Sequence, residues 1–429
     1  MTSVDAASGR GRDATPGDGS PTVGTLLELD VGPVAHGGHC VARHEGRVVF
    51  VRHALPGERV RARVTEGGED ARFLRADAVE VLAASSQRVT PPCPYAHPGG
   101  CGGCDWQHAA PAYTRELKAA VVAEQLHRLA GLDREVAVEP VPGDQQGLRW
   151  RTRVEFAVDE RGRAGLRPHR SHDVIPVEDC LIATRAVVDS GVLQAEWEGC
   201  SAVDTVAPGG RAPAVTVPVP RGRADRRGMP VPTVRERVTT PTWSGEFDVS
   251  ARGFWQVHVG AAATFVEHVL RELAPREGER ALDLYCGVGL FAAALADAVG
   301  PSGSVRAVEA DQRAVVDARA NLADRPQVRV RRSRVDREVA MLARRGGTTD
   351  LVVLDPPRTG AGRAVVRDVA ALRPRLVAYV ACDPAALARD LAYAREAGYG
   401  IRSLRAFDAF PMTHHVECIA VLEPHPTSD

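Results

Sequence analysis

From Phe254 onward, helix-like and strand-like runs alternate along the chain, and few folds accommodate that order. The periodicities predict helices over 262–274, 289–299, 311–323 and 362–373. They predict strands over 279–285, 304–309, 328–335, 351–355 and 375–381. Strands separated by helices cannot pair as hairpins, so they lie parallel under helices on both faces. The expected fold class is α/β, an open Rossmann-like sheet that binds its ligand at the C-terminal edge of its strands.

That sheet leaves most of the 429 residues unexplained, and one packed core does not hold them all. Residues 1–21, rich in Gly, Ser, Asp and Pro, have little to bury and read as a disordered tail. Over 22–83, runs such as RVVFVRHAL and ERVRARVTE between Gly and Pro turns predict a small all-β barrel. A central domain over 84–250 holds a cysteine-rich loop, a helix over 111–132 ending near Gly131, and a mostly β remainder. Residues 251–429 form the α/β domain. Composition, 44% apolar and 25% charged, excludes a fibrous or wholly disordered chain. No apolar window is long enough to span a membrane, and the first twenty residues lack the apolar stretch of a signal peptide. A cytoplasmic monomer is expected.

The chemistry-bearing motifs fall at the ends of the α/β strands. RALDLYCGVGLFAAALA (280–296) is a strand, a glycine turn and a helix start, with Asp283 at the strand end and Tyr285, Gly287 and Gly289 in the turn. Glu309 ends the next strand, where a carboxylate reaches ribose hydroxyls. Ala292 stands where a dinucleotide fingerprint has its third glycine. The adenosine of S-adenosylmethionine therefore fits better than a pyrophosphate, whose charge Asp283 would repel. Asp355-Pro356-Pro357-Arg358 follows the apolar run LVVL and offers a carboxylate and a stiff wall for a planar base. In VAYVACDPAALARDL, Cys382 ends a strand before a helix, where the helix N-terminus lowers a thiol pKa and makes a nucleophile. In FPMTHHVECIAVLE, Glu417 interrupts an apolar strand and is a candidate general base, while His414 and His415 read as a solvated turn. Each motif alone is also an ordinary strand end or turn; their common position at one sheet edge favours function.

Cys93, Cys101, Cys104 and Cys180 form a separate set, C-x7-C-x2-C in a Pro/Gly loop and then a lone cysteine. In a reducing compartment this reads as metal ligation, by zinc or by an iron–sulfur cluster, and spacing does not decide between them. Cys40, Cys200, Cys286 and Cys418 read as packing residues. With 54 Lys and Arg against 55 Asp and Glu, the whole chain exerts no pull on a polyanion. Local arginine stripes at 148–171 and 328–335 are the candidate phosphate contacts, Arg149, Arg151 and Arg153 among them.

Together these motifs resemble the RNA 5-methyluridine methyltransferase family, which methylates uracil C5 with S-adenosylmethionine. ARGFWQVH (251–258) resembles the family's Phe-x-Gln-x-Asn motif, DLYCGVG its cofactor motif, LDPPR its fourth motif, YVACDPAAL its nucleophile motif and FPMTHHVE its base motif. The barrel is similar to a TRAM domain and the cysteine loop to the family's iron–sulfur segment. The resemblance implies that Cys382 adds to uracil C6 and Glu417 removes the C5 proton. It places Gln256, Asp283, Tyr285, Gly287, Gly289, Glu309 and Asp355 around the cofactor, and Gln256, Asp355, Pro356 and Arg358 around the base. It implies a 4Fe-4S cluster on the four cysteines and an RNA substrate, large-subunit ribosomal RNA ahead of transfer RNA. The chain departs from the pattern at His258 and Asp383, where the family has Asn. A cytosine-C5 methyltransferase would need a cysteine beside Pro356 or Pro357, and Arg358 follows instead. A non-catalytic RNA-binding or assembly factor has no need of both Cys382 and Glu417.

Overall fold

The computed structural model describes residues 21–68, 70–210, 213–222 and 231–425, so the expected tail lies, apart from Pro21, outside the described residues. The first five strands are β1 (Leu26–Asp30), β2 (Cys40–His44), β3 (Arg47–Arg52), β4 (Arg59–Glu66) and β5 (Phe73–Ala83). They form a curled sheet in the order β1-β4-β5-β3-β2, with β3 and β5 parallel and the other pairs antiparallel. Alternate residues such as Leu27 and Leu29, Val49 and Val51, and Val60, Ala62 and Val64 point inward, as a one-sided sheet requires. Trp106, Leu117 and Val121, from beyond the barrel, complete that core. The barrel is thus packed onto the segment that follows it.

Helix α1 (Pro111–Gln125) begins with a proline at its first position, continues as a wider turn through Ala130, and stops at Gly131 with φ +62°. It carries Lys118, the only lysine of the chain and fully buried. The Lys118 ammonium donates to Asp408 Oδ1 at 2.5 Å and to the Phe410 carbonyl at 3.0 Å, fastening α1 to the far end of the chain. After β6 (Val138–Pro140) come β7 (Arg153–Val158), β8 (Ala164–Leu166), β9 (Ile175–Pro176), the short α2 (Arg185–Val188), β10 (Cys200–Val206) and β11 (Val215–Pro220). Their antiparallel sheet runs β11-β10-β7-β8-β9. A hairpin of β12 (Thr233–Thr239) and β13 (Ser244–Ser250) follows, and its Val234, Val238, Phe247 and Val249 share one core with Phe265 and Phe291.

The remaining elements alternate as expected: α3 (Ala261–Leu273), β14 (Arg280–Leu284), α4 (Leu290–Val299), β15 (Ser304–Glu309), α5 (Gln312–Asn321), β16 (Val328–Arg332), α6 (Val335–Arg344), β17 (Leu351–Leu354), α7 (Arg363–Ala371), β18 (Leu376–Ala381), α8 (Pro384–Glu396), β19 (Tyr399–Asp408) and β20 (Glu417–Pro424). They build an eight-stranded sheet, β16-β15-β14-β17-β18-β20-β19-β6, in which β20 runs antiparallel to both neighbours. Every residue of β17 and β18 is buried, as central strands covered on both faces must be. The order reverses between β14 and β17, the switch point at which such sheets bind ligands. One correction concerns the strand expected over 328–335: it ends at Arg332, and α6 starts at Val335 with Val339 and Leu342 on its packed face.

Candidate active site

Register brings the motifs together. Leu284 pairs with Leu354, Leu354 with Tyr379, and Ala381 with Cys418, so Asp283, Asp355, Cys382 and Glu417 lie at one edge of four neighbouring strands. β20 enters that edge at its first residue, which is why its N-terminal Glu417 meets groups that follow the ends of parallel strands.

The turn after β14 is held in strained backbone. Tyr285 has φ +65°, uncommon for a residue with a side chain, and Gly287 and Gly289 have φ +53° and +97°. A Cβ on Gly289 would lie 2.8 Å from Leu322, whereas one on Gly287 would face open space. Glu309 fixes the turn: Oε2 accepts from the Gly287 amide at 3.0 Å, and Oε1 accepts from the Ala310 and Asp311 amides at 2.7 and 2.8 Å. Asp283 is fully buried, and although it faces the Ala292 amide neither carboxyl oxygen makes a hydrogen bond of good geometry. An orphaned carboxyl beside an open glycine turn fits a nucleoside with donors to share. Burial pushes the Asp283 pKa up to about 8, so in the free protein it is largely neutral at pH 7. This corrects the expectation that its charge repels a pyrophosphate. Gln256 is buried, two residues from Phe254, which is 70% exposed.

The second correction concerns Cys382. Its pKa is not lowered by α8 but raised to about 12, by burial first and then by the carboxyls of Glu417 and Asp355, with Arg358 opposing. The Asp355 pKa rises to about 7 through burial, and that of Glu417 is raised well above the ordinary carboxylate range, by burial first and then by the Asp355 charge. Two carboxyls so placed do not both ionise at neutral pH. The site thus holds a thiol and at least one proton on the carboxyl pair, with the Arg358 guanidinium acting on the thiol.

The turn before β20 is not solvated, a third correction. Asp105 of the cysteine loop accepts from the His414 amide at 3.0 Å and bonds His414 Nδ1 at 2.7 Å. His415 has its pKa pushed down to about 3 by burial and by neighbouring His414 and Arg358, and its Nε2 lies 3.5 Å from Arg358 Nη2. Met412, with φ +64°, closes the turn. His258 accepts from the Gly260 amide through Nδ1 at 3.1 Å and stacks on Trp150 with ring centroids 5.7 Å apart. Burial pushes its pKa down to about 4. Sequence reading missed Asp105 and Lys118; a sole lysine in a chain otherwise using arginine was the available signal for the second.

Cys93, Cys101, Cys104 and Cys180 line one cavity of about 270 Å³, together with Tyr95, Gln107 and Arg151. Burial raises the pKa of each thiol, that of Cys101 to about 11. Among the described residues no group of three or more His, Cys, Asp or Glu is arranged to hold a metal ion. The expected ligands therefore share a cavity without closing on one ion. Of the expected phosphate-binding arginines, Arg149, Arg151 and Arg153 are corrected. Arg149 is buried in a bidentate pair with Asp179 at 2.5 and 2.8 Å, Arg153 is buried against Glu236 at 2.9 Å, and Arg151 lines the cysteine cavity. On β16 and just beyond it, Arg329, Arg331, Arg332 and Arg334 are exposed. No helix among the described residues is long and apolar enough to cross a membrane.

A strand-end cluster of this kind on a doubly wound sheet defines a nucleoside-cofactor enzyme, and comparison with known proteins narrows the class. A family model for tRNA (uracil-5-)-methyltransferase matches residues 233–425, and a TRAM domain model matches residues 21–79. An uncharacterized RNA methyltransferase from Streptomyces avermitilis is 53% identical over 94% of this chain and 99% of its own. The 23S rRNA (uracil(1939)-C(5))-methyltransferase RlmD of Shewanella sp. is 30% identical over 90% of this chain and 93% of its own. The crystal structure of Pyrococcus abyssi tRNA (uracil-54, C5)-methyltransferase with S-adenosyl-L-homocysteine shares the fold, with a TM-score of 0.68 and 21% identity over 92% of this chain and all of that one. The chain belongs to the tRNA (uracil-5-)-methyltransferase family, and it is an RNA methyltransferase with an N-terminal TRAM domain.

Proposed function

We propose that this enzyme methylates C5 of a uridine in RNA, through a covalent bond between Cys382 and C6 of the base. The observation that carries the reading is the convergence of Cys382, Glu417 and Asp355 on one edge, where a thiol stands beside two buried carboxyls. Uracil C5 is a poor nucleophile, so the base must first be activated. Cys382 loses its proton through the carboxyl pair to solvent and adds to C6, which makes C5 an enolate carbon and leaves Glu417 as the ionised member of the pair. Asp283, Glu309, Gln256 and the 285–289 turn would hold S-adenosylmethionine, which would supply the electrophilic methyl group. Glu417 then takes the C5 proton, the C5–C6 double bond re-forms and the C6–S bond breaks, which returns the thiolate. Arg358 steadies the developing negative charge, and Pro356 walls the base.

A base inside a stacked helix cannot reach this edge, so the uridine is turned out of its RNA. Exposed Phe254 beside Gln256 offers a face on which an unstacked base rests. The exposed arginines of β16 and the TRAM barrel supply phosphate contacts in place of the buried Arg149 and Arg153. The RlmD likeness favours large-subunit ribosomal RNA as substrate. For the four cysteines, the resemblance to the family's iron–sulfur segment and their shared cavity are what support a 4Fe-4S cluster there. The function is tested by mapping 5-methyluridine in total RNA from cells with and without the gene. Loss of one uridine methylation supports the reading; an unchanged map refutes it.

A further inference from the structure

One contact at the active-site edge comes from the opposite end of the chain. Between β1 and β2 the barrel makes a tight turn, with the Gly38 amide donating to the Ala35 carbonyl at 3.1 Å and the Ala35 amide to the His39 carbonyl at 2.7 Å. Its tip is seated firmly. The indole of buried Trp106 donates to the Gly38 carbonyl at 3.0 Å. Gly38, with φ +83°, comes so close to the turn before β20 that a Cβ there would lie 2.6 Å from His414. From this tip His36 Nε2 reaches Asp383 Oδ2 at 3.1 Å.

Asp383 is the residue after Cys382 and the N-cap of α8, its Oδ1 accepting from the Ala386 amide at 2.7 Å. One carboxylate oxygen therefore fixes the start of the helix and the other takes the barrel's histidine. This is the position at which the chain carries Asp where its family resemblance has Asn, so the acceptor facing His36 is a full carboxylate. Glu124 of α1 and Arg389 of α8 are the other charged groups acting on His36.

We infer that His36 is a positioning residue: the barrel tip forms one wall of the catalytic cleft and holds the Cys382 turn through Asp383. The inference rests on the proposed role of Cys382. It makes the TRAM barrel part of the catalytic assembly and not only a tether for RNA. An exposed ion pair adds little stability, so its consequence is in geometry. A displaced nucleophile costs rate steeply, and kcat carries the loss.

The test uses the full chain with His36→Ala and His36→Gln, the second able to donate to Asp383 again. Methyl transfer from labelled S-adenosylmethionine to total RNA lacking the modification is measured alongside Cys382→Ala. The rate of Cys382 alkylation by iodoacetamide without RNA is read by peptide mass spectrometry. His36→Ala should lower kcat by about tenfold or more, with KM for RNA within about twofold, and should alter the alkylation rate of Cys382. His36→Gln should recover most of both. Wild-type kcat and alkylation in His36→Ala would overturn the inference, and so would a change confined to KM, which would mean that the tip touches RNA. If Cys382→Ala still methylates, the nucleophile reading itself fails; if it is dead while His36→Ala behaves as wild type, only the positioning role fails.

Discussion

Asp283 is a buried carboxyl without a good hydrogen bond, and its substitution by Asn should stabilise the cofactor-free enzyme while disabling it. An unfolded aspartate is ionised at pH 7, but folded Asp283, with its pKa up to about 8, binds a proton. Folding at pH 7 therefore costs about 4 kcal/mol, at 1.36 kcal/mol for each of the roughly three pH units above the ordinary aspartate value. Because the folded pKa is raised, the stability from this group is complete below pH 4 and is lost as pH climbs towards 8. Asn is neutral throughout, so Asp283→Asn should gain about 4 kcal/mol at pH 7 and about 1.5 kcal/mol at pH 5. The unpartnered amide lowers both figures equally and leaves their difference. Hydrogen exchange of the β14 amides reports this domain's opening without interference from the others, and is measured from pH 5 to 8 in wild type and variant. S-adenosylmethionine affinity should fall in the same variant. A gain or a loss that does not vary with pH over this range would show that Asp283 is already ionised in the folded protein.

Other outcomes follow from the buried and exposed arginines and from the two cysteine sites. Arg153→Ala leaves Glu236 buried without its partner and should cost about 3–5 kcal/mol of stability, read by urea unfolding, with the salt dependence of RNA binding unchanged. Neutralising Arg329 and Arg332 should instead flatten that salt dependence by about one unit for each phosphate left without its arginine, measured by filter binding. Alkylation of Cys382 in the free enzyme should be slow at pH 8 and still rising at pH 10, because its pKa is about 12; a midpoint near 7 would restore activation by the helix. Protein purified without oxygen should carry iron and sulfide in place of stoichiometric zinc, by elemental analysis, and Cys104→Ser should remove them.

The sheet was legible because its signals are local: an apolar run, a glycine turn and a helix start lie within twenty residues of one another, and their order dictates parallel pairing. Helix α6 was hidden because VRVRRSRV continues a strand-like alternation past Arg332, although Val335, Val339 and Leu342 carry a helical spacing. What failed were statements about electrostatic partners. Arg149 and Arg153 read as solvent-facing cations, and only the fold brings Asp179 and Glu236 to bury them. For Cys382 the helix that lowers a thiol pKa is adjacent in sequence, whereas the burial that raises it, and then Glu417 and Asp355, come from the fold and from other strands. The His36–Asp383 contact spans 347 positions, and nothing local announces it.

The central claim, covalent activation of the base by Cys382 with release triggered at Glu417, is tested most directly with Glu417→Gln. Gln cannot take the C5 proton, so the methylated base stays bonded to the thiol. Incubated with S-adenosylmethionine and unmodified RNA, the variant should give a slow-migrating protein–RNA species on a denaturing gel, with the label mapping to the peptide that contains Cys382. Absence of that species, while the variant still binds RNA and cofactor, would contradict the account.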